Sequence, residues 1–227
     1  MFYPANSTET SPHGDSEVMA DYLSDGRQTS DGMAAMVGFE QLGMSFLLGH
    51  LAGASSGCTK DAPMIDLSND NSRRQGLPLL VYSHGYGGNM DMASYLFRTM
   101  ASKGMIVAAL EHTDGTASST VLENGDVRRF NEYLMTGRQK LTRRASELLE
   151  AVEFLPEYVD YRFGRSSSTG GLVGKIMLGG HSYGAPSAIM AANGASDDSG
   201  IRGLILHDPA LGMGYEMLPP NGAKSRI

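Results

Sequence analysis

The sequence predicts an α/β fold: a doubly wound, mostly parallel sheet with helices packed on both faces. Three observations carry that expectation. Short apolar runs, each long enough for a buried strand, alternate along the chain with stretches of helical periodicity. Two of these runs lead straight into glycine-rich turns, His84-Gly85-Tyr86-Gly87-Gly88 and Gly180-His181-Ser182-Tyr183-Gly184. The βα links are short, and right-handed crossovers then leave few arrangements other than a doubly wound sheet.

The elements follow in order. Leu77-Pro78-Leu79-Leu80-Val81-Tyr82-Ser83 reads as a buried strand that delivers the first glycine turn. Met92 to Ser102 carries Met92, Leu96 and Met100 at helical spacing, with Gly104 suited to the cap after it. Met105 to Leu110 is a second buried-strand run. Residues 133–155 form the clearest helix, with Leu141, Ala145, Leu148, Val152 and Leu155 on one face and Arg143, Arg144, Glu147 and Glu150 off it. Strand 176–179, helix 184–193 and strand 203–207 complete the series. Segments 5–32, 61–76 and 164–171 are polar and read as loops. Met33 to Ala54 is apolar in tendency but interrupted by Glu40, Gln41 and His50, which makes it a poor membrane span. One domain over 1–227 is expected. Residues 33–54 would supply interfacial or packing helices, 77–118 the first glycine turn and its surroundings, and 176–208 the second.

A chain of 227 residues, 41% of them hydrophobic, is long enough for one domain with a sizeable core. The net charge of −7 excludes nucleic acid as a natural partner, because phosphate binding needs clustered Lys and Arg. Arg73-Arg74, Arg128-Arg129 and Arg143-Arg144 are scattered pairs and read as solvated faces. Cys58 is the sole cysteine, so no internal disulfide framework exists. Met1-Phe2-Tyr3-Pro4-Ala5-Asn6 shows no signal-peptide pattern, and localisation is left open.

The chemistry concentrates at Ser182. It stands between a strand run and a small-residue stretch, Ala185 to Ala192, the strand–turn–helix setting that pushes a G-x-S-x-G serine up as a nucleophile. A second match, Gly53-Ala54-Ser55-Ser56-Gly57, has no strand before it and reads as a turn. A serine attacking a carbonyl needs backbone N–H groups aimed at the developing oxyanion. Tyr183, after the nucleophile, and Tyr86, in the earlier glycine turn, stand where those donors belong. Asp208, at the end of the last apolar run, is placed to orient a histidine; beside Pro209 it would equally suit a helix N-cap. In this order of residues the histidine comes last, yet none follows Asp208. His112, at the carboxyl end of a strand run, is the one internal substitute, although a loop or core role is more ordinary for it. Asp66 to Leu77 departs from a calcium loop, with Asn71 where glycine is needed and Leu77 where glutamate is needed.

These residues resemble the platelet-activating factor acetylhydrolases, a family of α/β-hydrolases. Tyr82 to Gly88, then Tyr95, then Ala101 to Ser118 is similar to that family's signature block, and the tail Glu111-His112-x-Asp114-x-x-Ala117-Ser118 separates it from other α/β-hydrolases. Arg138-Gln139 with Arg143, Arg144 and Ala145, the elbow at Ser182, the position of Asp208 and the early Phe2-Tyr3-Pro4 extend the likeness over nearly the whole chain. The resemblance implies a cofactor-free, metal-free, calcium-independent esterase that removes short or oxidised sn-2 acyl groups from phospholipids. It makes Ser182 the nucleophile, Asp208 the acid, and the N–H groups of Tyr86 and Tyr183 the oxyanion hole. It also implies that the triad histidine, with the last strands and helices, belongs beyond Ile227, and that the amino end is clipped. The domain is then incomplete, and little esterase activity is expected of the chain as written. A cutinase-like or chlorophyllase-like carboxylesterase is the alternative enzyme. A non-catalytic binder of lipid surfaces is the alternative of another class, with Phe46, Leu47, Leu48 and Leu51 either facing lipid or packing on the sheet.

Overall fold

The computed structural model describes residues 1–5, 18–67, 76–164 and 171–213. Near the amino end, strands β1 (Met19–Asp21) and β2 (Ser55–Thr59) pair antiparallel, and helices α1 (Arg27–Met36) and α2 (Phe46–Gly49) lie between them in sequence. The segment 5–32 is therefore not loop throughout. The stretch 33–54 is divided among the end of α1, α2 and a 3₁₀ turn, His50–Gly53. Ser55, expected in a turn, opens β2 instead.

The main sheet is built by β3 (Leu77–Ser83), β4 (Ile106–Leu110), β7 (Val173–Ser182) and β8 (Ile201–Pro209), all parallel, in the spatial order β4-β3-β7-β8. Helix α3 (Ser94–Ser102) carries the chain from β3 to β4. The antiparallel hairpin β5 (Ser119–Val121) and β6 (Val127–Arg129) follows β4, and α4 (Gly137–Arg162) then crosses to β7. Helix α5 (Gly184–Gly194) joins β7 to β8.

Alternation along β3 separates the two faces. Leu79 and Val81 enter a core shared with Ala145, Leu148, Val152 and Val159 of α4 and with Ala188 and Ala191 of α5. Leu80 and Tyr82 point the other way, against Phe97 of α3, Val107 and Phe2. Both faces of the central strand are therefore dry, which is why it reads as an unbroken apolar run. Phe2 exchanges backbone bonds of 2.8 Å with Val107, adding an antiparallel residue to the outer side of β4.

Strands β7 and β8 run beyond the expected bounds at both ends, and α4 is shifted toward the carboxyl end. Helix α4 starts at a capping box in which the Thr136 hydroxyl accepts from Gln139 N–H and the Gln139 side chain reaches back to Thr136 N–H. It then runs past Pro156, because Val159 beyond the proline is buried on the same face as Val152. The β5–β6 hairpin was not foreseen, since three residues per strand give too short an alternation to read. Half of the polar stretch 61–76, most of 164–171, part of the rejected calcium loop, and His13 lie outside the described residues.

Candidate active site

The sheet changes direction at β3. From there the chain steps to β4 on one side and returns to β7 on the other, so the carboxyl ends of β3 and β7 flank a topological switch point, where open α/β sheets form their sites. His84-Gly85 leaves β3 there and Ser182-Tyr183 leaves β7, which brings the two glycine turns together.

Ser182 adopts φ 49°, a left-handed backbone that costs a side-chain-bearing residue free energy and persists only where the surroundings impose it. The glycines explain how it is imposed. A β-carbon on Gly180 would run into the Gly184 carbonyl, and one on Gly184 into the Ser83 carbonyl at the end of β3. A β-carbon on Gly85 would meet His181 Nδ1 at 2.9 Å and Ser182 Cβ at 3.2 Å. Three missing side chains thus let β3, β7 and α5 close on the serine, which is half-buried.

Asp208 also has a left-handed backbone, at φ 43°, and its side chain is exposed at the carboxyl end of β8. Ser182 pairs with Pro209 across the strands, and Ala210 N–H donates to the Ser182 carbonyl at 3.1 Å. The structure therefore places Asp208 on the strand end adjoining the elbow.

In the first turn, Gly87 N–H donates to the Thr116 carbonyl at 2.7 Å and Gly88 N–H to the Gly85 carbonyl at 3.1 Å. The Tyr86 and Tyr183 rings meet edge to face, with centroids 5.5 Å apart. Tyr183 is buried, which pushes its hydroxyl up to about 12, and that neutral hydroxyl donates to the Gly137 carbonyl at 3.2 Å. The two residues proposed as oxyanion donors thus come from different strands and touch through their side chains.

His112 does not fill the vacant role of base. Its side chain is fully buried, with Nδ1 2.6 Å from Glu147 Oε2 and Nε2 2.7 Å from Ser83 Oγ. Burial, then the charges of Arg144 and His84, hold its protonation well below the ordinary histidine range, against a weaker opposite pull from Asp114. A neutral ring facing a carboxylate must carry its proton on Nδ1, so Nε2 accepts from the Ser83 hydroxyl. Both nitrogens are committed to partners other than Ser182. His84 is likewise engaged: its Nδ1 lies 2.7 Å from the Gly85 carbonyl and its Nε2 2.8 Å from Glu111 Oε1, near enough to attract but not aligned as a hydrogen bond. His207 faces His181, with ring centroids 5.0 Å apart, and its Nδ1 lies 3.3 Å from the Tyr82 hydroxyl.

Arg144 overturns its reading as a solvated charge. Its side chain is fully buried, as is that of Asp114, and Arg144 Nε donates to Asp114 Oδ2 at 2.8 Å. Burial alone would raise the Asp114 carboxyl, but the guanidinium and bonds from Thr116 hold it below the usual carboxylate range. Sequence reasoning missed Arg144, Asp114, Glu111 and Glu147 as a set. The available signal was a charged residue adjoining the apolar stripe of α4, directly before Ala145. Among the described residues, no three His, Cys, Asp or Glu side chains are grouped to hold a metal ion, and no helix is long and apolar enough to cross a membrane.

The chain is similar to known proteins. The family described as platelet-activating factor acetylhydrolase, isoform II, matches residues 2–211. A platelet-activating factor acetylhydrolase of Bos taurus is 33% identical over 34% of this chain and 21% of its own length. One of Cavia porcellus is 29% identical over 58% of this chain and 35% of its own. The matches thus span well under two thirds of these relatives. Among solved structures, a ferulic acid esterase from Streptomyces cinnamoneus superposes with a TM-score of 0.55 at 21% identity, over 88% of this chain and 47% of that one. That likeness extends to the fold, an α/β-hydrolase sheet. The family match, running through both glycine turns and all four strands of the parallel sheet, decides the relationship: the chain belongs to the platelet-activating factor acetylhydrolase isoform II family.

Proposed function

We propose that this chain carries the nucleophile side of a serine esterase acting on phospholipids with short or oxidised sn-2 acyl groups. The observation that carries the reading is the left-handed Ser182 at the β3–β7 switch point, held by Gly180 and Gly184, where a β-carbon would strike backbone, and by Gly85, where it would crowd His181 and Ser182. Ser182 Oγ attacks the sn-2 carbonyl, and the N–H groups of Tyr86 and Tyr183 receive the negative charge. A histidine oriented by Asp208 takes the serine proton and passes it to the departing lysophospholipid oxygen. Water then releases the acyl group by the same route in reverse. His112 and His84 are committed to other partners and are not that histidine. The family relationship supports the substrate class.

Acetate release from a 1-alkyl-2-acetyl-glycerophosphocholine tests this, with and without imidazole as an added base and with the uncatalysed imidazole reaction subtracted. Slow release that imidazole raises, that Ser182→Ala removes and that a 2-palmitoyl analogue does not match is the expected result. Release that survives Ser182→Ala, or that is lost in a calcium chelator, contradicts it.

A further inference from the structure

The nucleophile, acid and oxyanion donors leave unused the largest fully buried side chain among the described residues, that of Arg144. We infer that Arg144 is a positioning residue that holds the two halves of the oxyanion hole in register, by gripping the β3 turn and the β7 elbow with one guanidinium.

The contacts divide between the two halves. Toward the β3 turn, Nη1 donates to the His84 carbonyl at 2.5 Å and to Ser83 Oγ at 3.2 Å. Toward the elbow, the guanidinium carbon lies 5.2 Å from the centre of the Tyr183 ring, within reach of a cation–π attraction in a dry setting. The remaining donors are anchored: Nε on Asp114 Oδ2 at 2.8 Å and Nη2 on Thr116 Oγ1. The planar fork suits this task, because it fixes several directions at once where a lysine would supply one rotatable point.

The anchor is itself tied to the β3 turn. Asp114 Oδ1 accepts from Thr116 N–H at 3.0 Å and from its hydroxyl at 2.6 Å, while the Thr116 carbonyl accepts from Gly87 N–H at 2.7 Å. Further along, Ser118 N–H donates to the Gly88 carbonyl at 2.8 Å, and Glu111 Oε2 accepts from Met90 N–H at 3.2 Å. His112 joins Ser83 to Glu147. Glu111, His112, Thr116 and Ser118 thus contact the segment 83–90 that contains Tyr86, and Asp114 reaches it through Thr116 and Arg144. The segment behaves as a clamp on the turn, and Arg144 extends that clamp to the elbow. A hydrogen-bonded buried network of this kind rigidifies its surroundings.

The inference rests on the reading of Tyr86 and Tyr183 as donors, and its test separates the two. Amide hydrogen exchange is measured by mass spectrometry on 1–227 and on Arg144→Met, or on Arg144→Lys should the methionine variant fail to fold. Exchange is expected to speed at 84–88 and 182–185 by about tenfold or more beyond any change in α3 and β4, as local opening of one clamped unit requires. Unchanged exchange, or a uniform rise across the sheet, overturns the clamp. Labelling rates at Ser182 are then compared for the P=O and P=S forms of one organophosphorus probe. The ratio is independent of the folded fraction and reads the oxyanion hole, so it is expected to fall by about tenfold or more in Arg144→Lys. A ratio equal to that of the parent overturns the positioning role. Labelling that persists in Ser182→Ala condemns the active-site reading alone, and the exchange result still decides the clamp.

Discussion

Arg144 Nε lies 2.8 Å from Asp114 Oδ2, and neither side chain is exposed to solvent. An ion pair withdrawn from water is costly to build and more costly to halve, because the surviving charge keeps its desolvation penalty without its partner. Arg144→Met and Asp114→Asn are each expected to destabilise the protein by about 3–5 kcal/mol. The double variant Arg144→Met with Asp114→Asn should lose clearly less than the sum. Chemical denaturation of the four proteins checks this, and strict additivity would contradict the pairing.

The glycines of the elbow are expected to differ sharply from other glycines in α5. Gly184→Ala forces a β-carbon into the Ser83 carbonyl and should cost about 3 kcal/mol or more. Gly194→Ala meets nothing within 4 Å and should change stability by less than about 1 kcal/mol. Equal unfolding midpoints for the two variants would show that the close approach of β3 and α5 is wrong.

Acid should weaken the fold through His112. The groups facing it are Glu147, Ser83, Arg144, His84 and Asp114. Its protonation is held well below the ordinary range in the folded state, chiefly by burial, so below about pH 6.5 the unfolded chain binds a proton that the folded one does not. Stability contributed by the neutral ring is complete above that pH and is lost as pH falls. Between pH 7 and 5 the parent is therefore expected to lose more stability than a variant without the ring. Comparing unfolding free energies of parent and His112→Gln at both pH values isolates it; parallel pH profiles would contradict the neutral buried ring.

Much of this was legible in the sequence where the signal is local. Leu77–Ser83 and Ile176–Gly179 announce buried strands because both faces are dry, and Gly180, Ser182 and Gly184 announce the elbow because their spacing is fixed by one tight turn. Helix α1 was hidden for the opposite reason. Its buried residues are Thr29, Ser30, Gly32 and Ala34, small or polar, and Gly32 packs so closely on Ser118 and Ser119 that no apolar stripe could serve there. The burial of Arg144 was equally illegible, since its partner Asp114 is thirty positions away and reaches it through the crossover from β4 to α4. His112 looked available because it ends a strand run; the residue that occupies it, Glu147, comes from the helix overhead.

The central claim is that Ser182 is the nucleophile, and the site of covalent modification by a fluorophosphonate, with imidazole supplied as the base, tests it most directly. Peptide mapping after labelling should find the adduct on Ser182, with Ser55 in β2 and the buried Ser83 unmodified, and Ser182→Ala should remove it. An adduct on another serine, or labelling undiminished in Ser182→Ala, would contradict the account.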